Sequence, residues 1–337
     1  MRATGFLAML LAGISVPAIA AAPGSGPASG LTVAPAASPA AGASWITLGT
    51  MGGPIAAADR GQPANLLVRG TDAYLVDCGD GTVEQLAKTR IRLAQVRAVL
   101  LSHLHFDHTG GLAAVLGLRF QTNVADRLTI YGPPGTRQLV DGLIASMQPA
   151  VEAGYGLPDA PAISPADSIV VVEVGDGQTL RLGDIVVTAR QNTHYSFAPG
   201  SDADRRFKSL AFRFDAPGRS IVYTGDTGPS PAVDRLAQGA DLLVSEMIDV
   251  QRTIANVRRN TPGVAPAVVA GIEQHLSRHH LTPEQVGELA SRANVKEVVV
   301  THLVTSGASA GDLLGYVSRI EATFHGGVAI ARDLDEF

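Results

Sequence analysis

Cysteine is almost missing from this chain. Cys78 is the single cysteine in 337 residues, which excludes an intramolecular disulfide. The fold must be held by its core or by bound metal. Lysine is nearly as scarce, at Lys88, Lys208 and Lys296. Basic residues number 26 against 31 acidic ones, for a net charge of -5. A general nucleic-acid binder is normally basic, so that class is not expected. The apolar run at residues 6–14 is too short to span a bilayer.

What is present suffices for a folded enzyme. Hydrophobic residues make up 46% of the chain and charged ones 17%. That allows one large domain or two small ones with a sizeable core. Residues 1–20 read as a secretory signal: Arg2, the apolar run, then Ala18-Ile19-Ala20 as small residues for cleavage. No cysteine stands nearby to carry a lipid anchor. The expected location is therefore periplasmic or secreted. Residues 21–44 are almost wholly Ala, Pro, Gly, Ser and Thr and read as a disordered linker. The folded domain is expected over residues 45–337.

The densest chemistry lies at residues 102–108, Ser-His-Leu-His-Phe-Asp-His. His103, His105, Asp107 and His108 occupy six positions, and three of the nine histidines are here. An apolar stretch at 96–101 precedes them and Thr109-Gly110-Gly111 follows. This pattern predicts a buried strand, a loop, and a helix starting near Gly111. Burying four such side chains together is costly unless they are paired. Imidazole and carboxylate at a strand end suit a divalent metal, zinc first.

Apolar runs predict further strands at 46–50, 64–68, 73–76, 128–131, 169–174, 185–190, 210–214, 220–223, 242–245, 298–300 and 328–331. Helices are expected over 83–88, 136–146 and 312–323, with another starting at Thr282, where Thr282, Pro283 and Gln285 form an N-terminal capping pattern. No solenoid repeat is present. The two halves have similar make-up and suit two packed βα halves. His194, Asp226 and His302 also fall just after predicted strand ends, where layered α/β proteins build their sites. Irregular segments 50–63 and 144–167 are expected to wall the pocket. Two metals about 3.5–4 Å apart need about seven ligands, one of them bridging. His103, His105, Asp107, His108, His194, Asp226 and His302 supply that number, and Asp226 is the natural bridge.

In this order the motif His103-x-His105-x-Asp107-His108, His194, Asp226 in Thr-Gly-Asp-Thr and His302 resembles the metallo-β-lactamase superfamily over nearly all of residues 45–337. The resemblance implies an α/β fold, a four-layer αββα sandwich with its metals at the edge of the two sheets. It implies two zinc ions, one on His103, His105 and His194, the other on Asp107, His108 and His302, with Asp226 bridging. Residues 74–82, 130–133 and 209–214 resemble the ribonuclease Z branch, which also includes bacterial arylsulfatases and cyclic-nucleotide phosphodiesterases. His280-Leu281-Thr282 is similar to that branch's His-x-(Ser/Thr) element, whose histidine lies near the scissile group.

The implied activity is that of an exported dinuclear zinc hydrolase, its zinc-bound hydroxide attacking a phosphodiester or (aryl)sulfate ester. Asp107 would orient the hydroxide and His280 would donate the proton. Lactone or β-lactam hydrolysis by the same dizinc site is the alternative. The export signal and the lack of a long basic arm depart from tRNA processing. The expected partner is a small anionic ester, with no nucleic acid and no membrane span, and the chain could form a homodimer. Asp77 and Asp80 are expected to orient ligand histidines or the loop rather than bind metal, and Cys78 to fill space. His275, His279 and His325 are expected to be structural or solvent-facing, and Arg258, Arg259 and Arg278 to form a solvated face.

Overall fold

The computed structural model describes residues 42–154, 164–195, 197–304 and 308–337. The expected signal at 1–20 and linker residues up to 41 lie outside them. Six strands form the first sheet in the order β1 (Ser44–Gly49), β2 (Ala64–Arg69), β3 (Asp72–Cys78), β4 (Val96–Leu100), β5 (Leu128–Gly132) and β6 (Ile169–Glu173). The first three pair antiparallel, and β3 to β6 pair parallel. The second sheet holds β7 (Thr179–Leu182), β8 (Ile185–Gln191), β9 (Leu210–Ala216), β10 (Arg219–Tyr223), β11 (Leu242–Ile248), β12 (Glu297–Val304) and β13 (Gly327–Ile330). It repeats the pattern: β7 to β10 antiparallel, then β10 to β13 parallel.

Successive strand side chains point to opposite faces, and here both faces are covered. On β3, Tyr74 and Val76 face the second sheet while Ala73 and Leu75 face helices. On β10, Ile221 and Tyr223 turn inward while Val222 turns outward. Two-sided burial explains why these strands read as unbroken apolar runs. Trp45, Phe212, Phe214 and Tyr223 form the aromatic centre of the inter-sheet core. The helices Leu112–Gln121 and Thr136–Ala153 cover the outer face of the first sheet. Pro231–Leu236, Pro283–Ala293 and Ala310–Glu321 cover that of the second. The result is the expected αββα sandwich.

Several elements differ from the expectation. The helix expected to end at 146 continues through Pro149 to Ala153. Strand β11 runs on to Ile248 and β12 to Val304. Strand β7 and the helices Val250–Asn260 and Pro266–His279 were not anticipated. Among the described residues no helix is long and apolar enough to cross a membrane.

Candidate metal centre

The apolar strand β4 carries the chain out of the core at Leu101, and the residues after it must turn. They form a short helix, Phe106–Thr109, immediately after His105. This turn places Asp107 and His108 beside His103 and His105. The helix is pressed against the end of β3, since a Cβ on Gly79 would lie 2.3 Å from the Asp107 carbonyl oxygen. Only glycine fits so close an approach.

The second sheet supplies the rest. His194 follows β8 and Asp226 follows β10. His302 lies within β12, where the pairing with β11 shifts register between Ser245 and Met247. That bulge re-aims side chains, and His302 takes a φ of 45°, a strained conformation typical of functional sites. His280 stands between the helix Pro266–His279 and the capping box of Thr282 and Gln285.

All seven expected side chains converge. His105 Nδ1 lies 3.1 Å from both His103 Nε2 and His194 Nε2. Asp107 Oδ2 lies 3.6 Å from His108 Nε2 and 3.7 Å from His302 Nε2. Asp226 sits between the two groups. Its Oδ2 is 3.9 Å from His103 Nε2, 3.8 Å from His194 Nε2 and 3.1 Å from His302 Nε2, and its Oδ1 is 3.3 Å from His108 Nε2. His103, His105 and His194 could hold one ion, and Asp107, His108 and His302 another.

The electrostatics fit a cation. His108 Nε2, His302 Nε2 and Asp226 Oδ1 are buried with no hydrogen-bond partner, which demands an explanation in any folded protein. Burial, together with neighbouring rings, holds His103 and His194 well below the usual imidazole value, leaving their lone pairs free. Burial acts the same way on His108 and His302, but the surrounding carboxylates outweigh it. His108 is held well above the usual value and His302 rises to about 10. Burial disfavours the charge on Asp107, yet His302 and His108 bring it down to about 2. The cluster thus draws positive charge into itself, which a divalent ion supplies without protons.

A ring of further groups fixes the ligands. Asp77 Oδ2 lies 2.8 Å from His108 Nδ1 and also accepts from Tyr223 Oη and Ser102 Oγ. Asp77 therefore does orient a candidate ligand; the Asp80 side chain is exposed, on the loop that follows β3. Glu246, absent from the sequence expectations, is fully buried. Its Oε2 lies 2.9 Å from His280 Nδ1, and its Oε1 accepts from the backbone N–H of Thr227. Burial lowers the His280 pKa, but Glu246 reverses this and raises it. His280 brings a ring nitrogen within 4.8 Å of ligand atoms on His194 and Asp226.

A cavity of about 530 Å³ opens on the cluster. Residues 51–55 wall it as expected, whereas the described parts of 144–167 do not; residues 155–163 lie outside the described residues. The helices Val250–Asn260 and Pro266–His279 take that place. His275 is half-buried and lines the cavity. His279 Nδ1 lies 2.6 Å from the Thr193 carbonyl oxygen. His325, Arg258, Arg259 and Arg278 are exposed, as expected. Tyr195, also unanticipated, packs its ring 5.3 Å from that of His105.

Two stacked mixed sheets with a His/Asp cluster at their common edge define a metal-dependent hydrolase of the metallo-β-lactamase fold. The sequence matches the beta-lactamase superfamily domain over residues 73–303, and the chain belongs to that family, in its ribonuclease Z branch. It is similar to ribonuclease Z of Mycolicibacterium gilvum, at 30% identity over 262 residues, covering 77% of this chain and 84% of that protein. Among solved structures, the metallo-beta-lactamase fold protein YhfI from Bacillus subtilis superposes with a TM-score of 0.61 at 20% identity, covering 88% of this chain and 99% of that one. The short form of human tRNase Z gives 0.58 at 21% identity, covering 87% and 98%.

Proposed function

We propose that the chain is an exported dinuclear zinc hydrolase that cleaves phosphodiesters or (aryl)sulfate esters of small anionic molecules. The observation that carries this is the convergence of seven ligand-type side chains from two sheets, three of them with buried polar atoms lacking a hydrogen bond. Imidazole and carboxylate donors suit zinc. His103, His105 and His194 would hold one ion, Asp107, His108 and His302 the other, and Asp226 would bridge. Relatives at 30% and 31% identity carry the name ribonuclease Z, which supports a phosphodiester. No lysine or arginine is found among the described residues that line the cavity, and nucleic-acid grooves are built on such residues. Export rests on the signal pattern at residues 1–20.

When bound, the zinc pair lowers the pKa of water and neutralises charge on the ester. The protein does the rest. Asp107, held ionised, accepts a hydrogen bond from the attacking water. His280, held protonated by Glu246, donates its proton to the leaving oxygen as the bond to phosphorus or sulfur breaks. Asp77 and Ser102 keep His108 and His103 in the required orientation.

The test is a panel of chromogenic phosphodiesters, sulfate esters, lactones and β-lactams, with metal content measured on the same protein. About two zinc ions per chain and turnover of an anionic ester support the proposal. Opening of lactones or β-lactams alone would replace it with the alternative reading, and no turnover at all would sink it.

A further inference from the structure

We infer that the centre takes esters bearing one bulky apolar substituent, an aryl or branched alkyl group, seated against Phe106 and Ile55. This rests on the hydrolase reading above and concerns the part of the substrate that lies beyond the reacting group. The cavity is continuous with the cluster, since His105, Asp107, Asp226 and His302 form its floor. Its other walls are largely apolar.

Two helix faces build those walls. Ile272 and Leu276, four residues apart, share one face of Pro266–His279, and Val257 comes from Val250–Asn260. Thr253, Asn256 and Asn260 add neutral polar groups. A second anionic group on the substrate would find no lysine or arginine among the described lining residues. Burying it there would be unfavourable, whereas an apolar group gains by leaving water.

The mouth points the same way. Phe106 is 85% exposed and Ile55 is 48% exposed, and both line this cavity. Phe106 sits between His105 and Asp107, so the short helix that aims its neighbours fixes its place beside the reacting centre. Ile55 lies on the segment anchored at Gly52, where a Cβ would be 2.6 Å from His302 Nδ1. That close approach sets the start of this wall directly against a candidate ligand. Two large apolar side chains left in water around one cavity mark a surface meant to be covered.

The experiment measures the affinity of metal-loaded protein for methylphosphonate and phenylphosphonate by calorimetry, alongside kcat/KM for methyl and phenyl p-nitrophenyl phosphodiesters. Phenylphosphonate should bind about 30-fold tighter or more, as expected from burying several extra carbons. In the double variant Phe106→Ser, Ile55→Ser that ratio should fall several-fold, with metal content and Tm unchanged because both residues are exposed. Equal affinity for the two phosphonates, or a ratio untouched in the variant, overturns the inference. Phenyl preference in binding without hydrolysis of any ester would leave this inference standing and remove the hydrolase reading. Hydrolysis with no apolar preference would do the reverse.

Discussion

Glu246 Oε2 lies 2.9 Å from His280 Nδ1, and both side chains are buried at the edge of the metal centre. A carboxylate so placed outweighs burial and raises the imidazole's pKa, which favours His280 as a proton donor above its ordinary titration range. Activity that depends on that proton is present below the raised pKa and lost as pH rises through it. Glu246→Gln removes the charge that raises it. The alkaline limb of the kcat profile should move to lower pH, and kcat at pH 8 should fall at least about 10-fold. His280→Ala should cost about 10²-fold or more on esters with poor leaving groups and far less on p-nitrophenyl esters, whose leaving group needs no proton. An equal loss on both would contradict the donor role.

Asp77 is buried and accepts from the Ser102 backbone N–H and hydroxyl and from Tyr223, with His108 Nδ1 at 2.8 Å. Asp77→Asn replaces an acceptor with a group that must donate on one side. We expect a loss of about 3 kcal/mol in stability and a 10- to 100-fold weaker hold on metal. Chemical denaturation and competition with a chromogenic chelator measure the two effects. A stable variant with unchanged metal affinity would show that the ring of bonds around His108 is dispensable.

Removing metal should expose the charge balance of the cluster. In the metal-free protein His302 has its pKa raised to about 10 from 6.5. Its contribution to stability is therefore complete below about pH 6.5 and is lost as pH rises towards 10. Metal binding instead needs deprotonated ligands and strengthens with pH. The gap in Tm between metal-loaded and chelated protein should widen steadily from pH 6 to pH 10. A constant gap across that range would contradict this account.

Burial pushes the Cys78 thiol up to about 12. The thiolate, which is the reactive form, is then almost absent at pH 8. Ellman's reagent should leave the native protein unmodified over an hour and titrate one thiol at once in guanidinium. Rapid reaction of the native protein would show that the end of β3 opens readily.

The candidate ligands were legible in the sequence because most follow an apolar run closely and four share one short segment, although β12 continues past His302 to Val304. The layered fold was legible for the same reason, since strands buried on both faces cannot hide their apolar runs. Glu246 was not. It lies inside β11, and nothing local shows that it meets His280, which is distant in sequence. The helix Phe106–Thr109 is too short for any periodicity. The helices Val250–Asn260 and Pro266–His279 did leave signals, in the Asp249 cap, Pro266 at a helix start, and the spacing of Ile272 and Leu276. Strand β7 could have been read from the Gly183-Asp184 turn that joins it to β8.

The cluster draws His103, His105, Asp107 and His108 from the first sheet and His194, Asp226 and His302 from the second. Neither sheet holds either group of ligands and the bridging position complete by itself. The centre therefore acts as a gauge of alignment between the sheets: it can form only after they have docked in register. A chain still unfolded, or with one sheet detached, cannot assemble the centre.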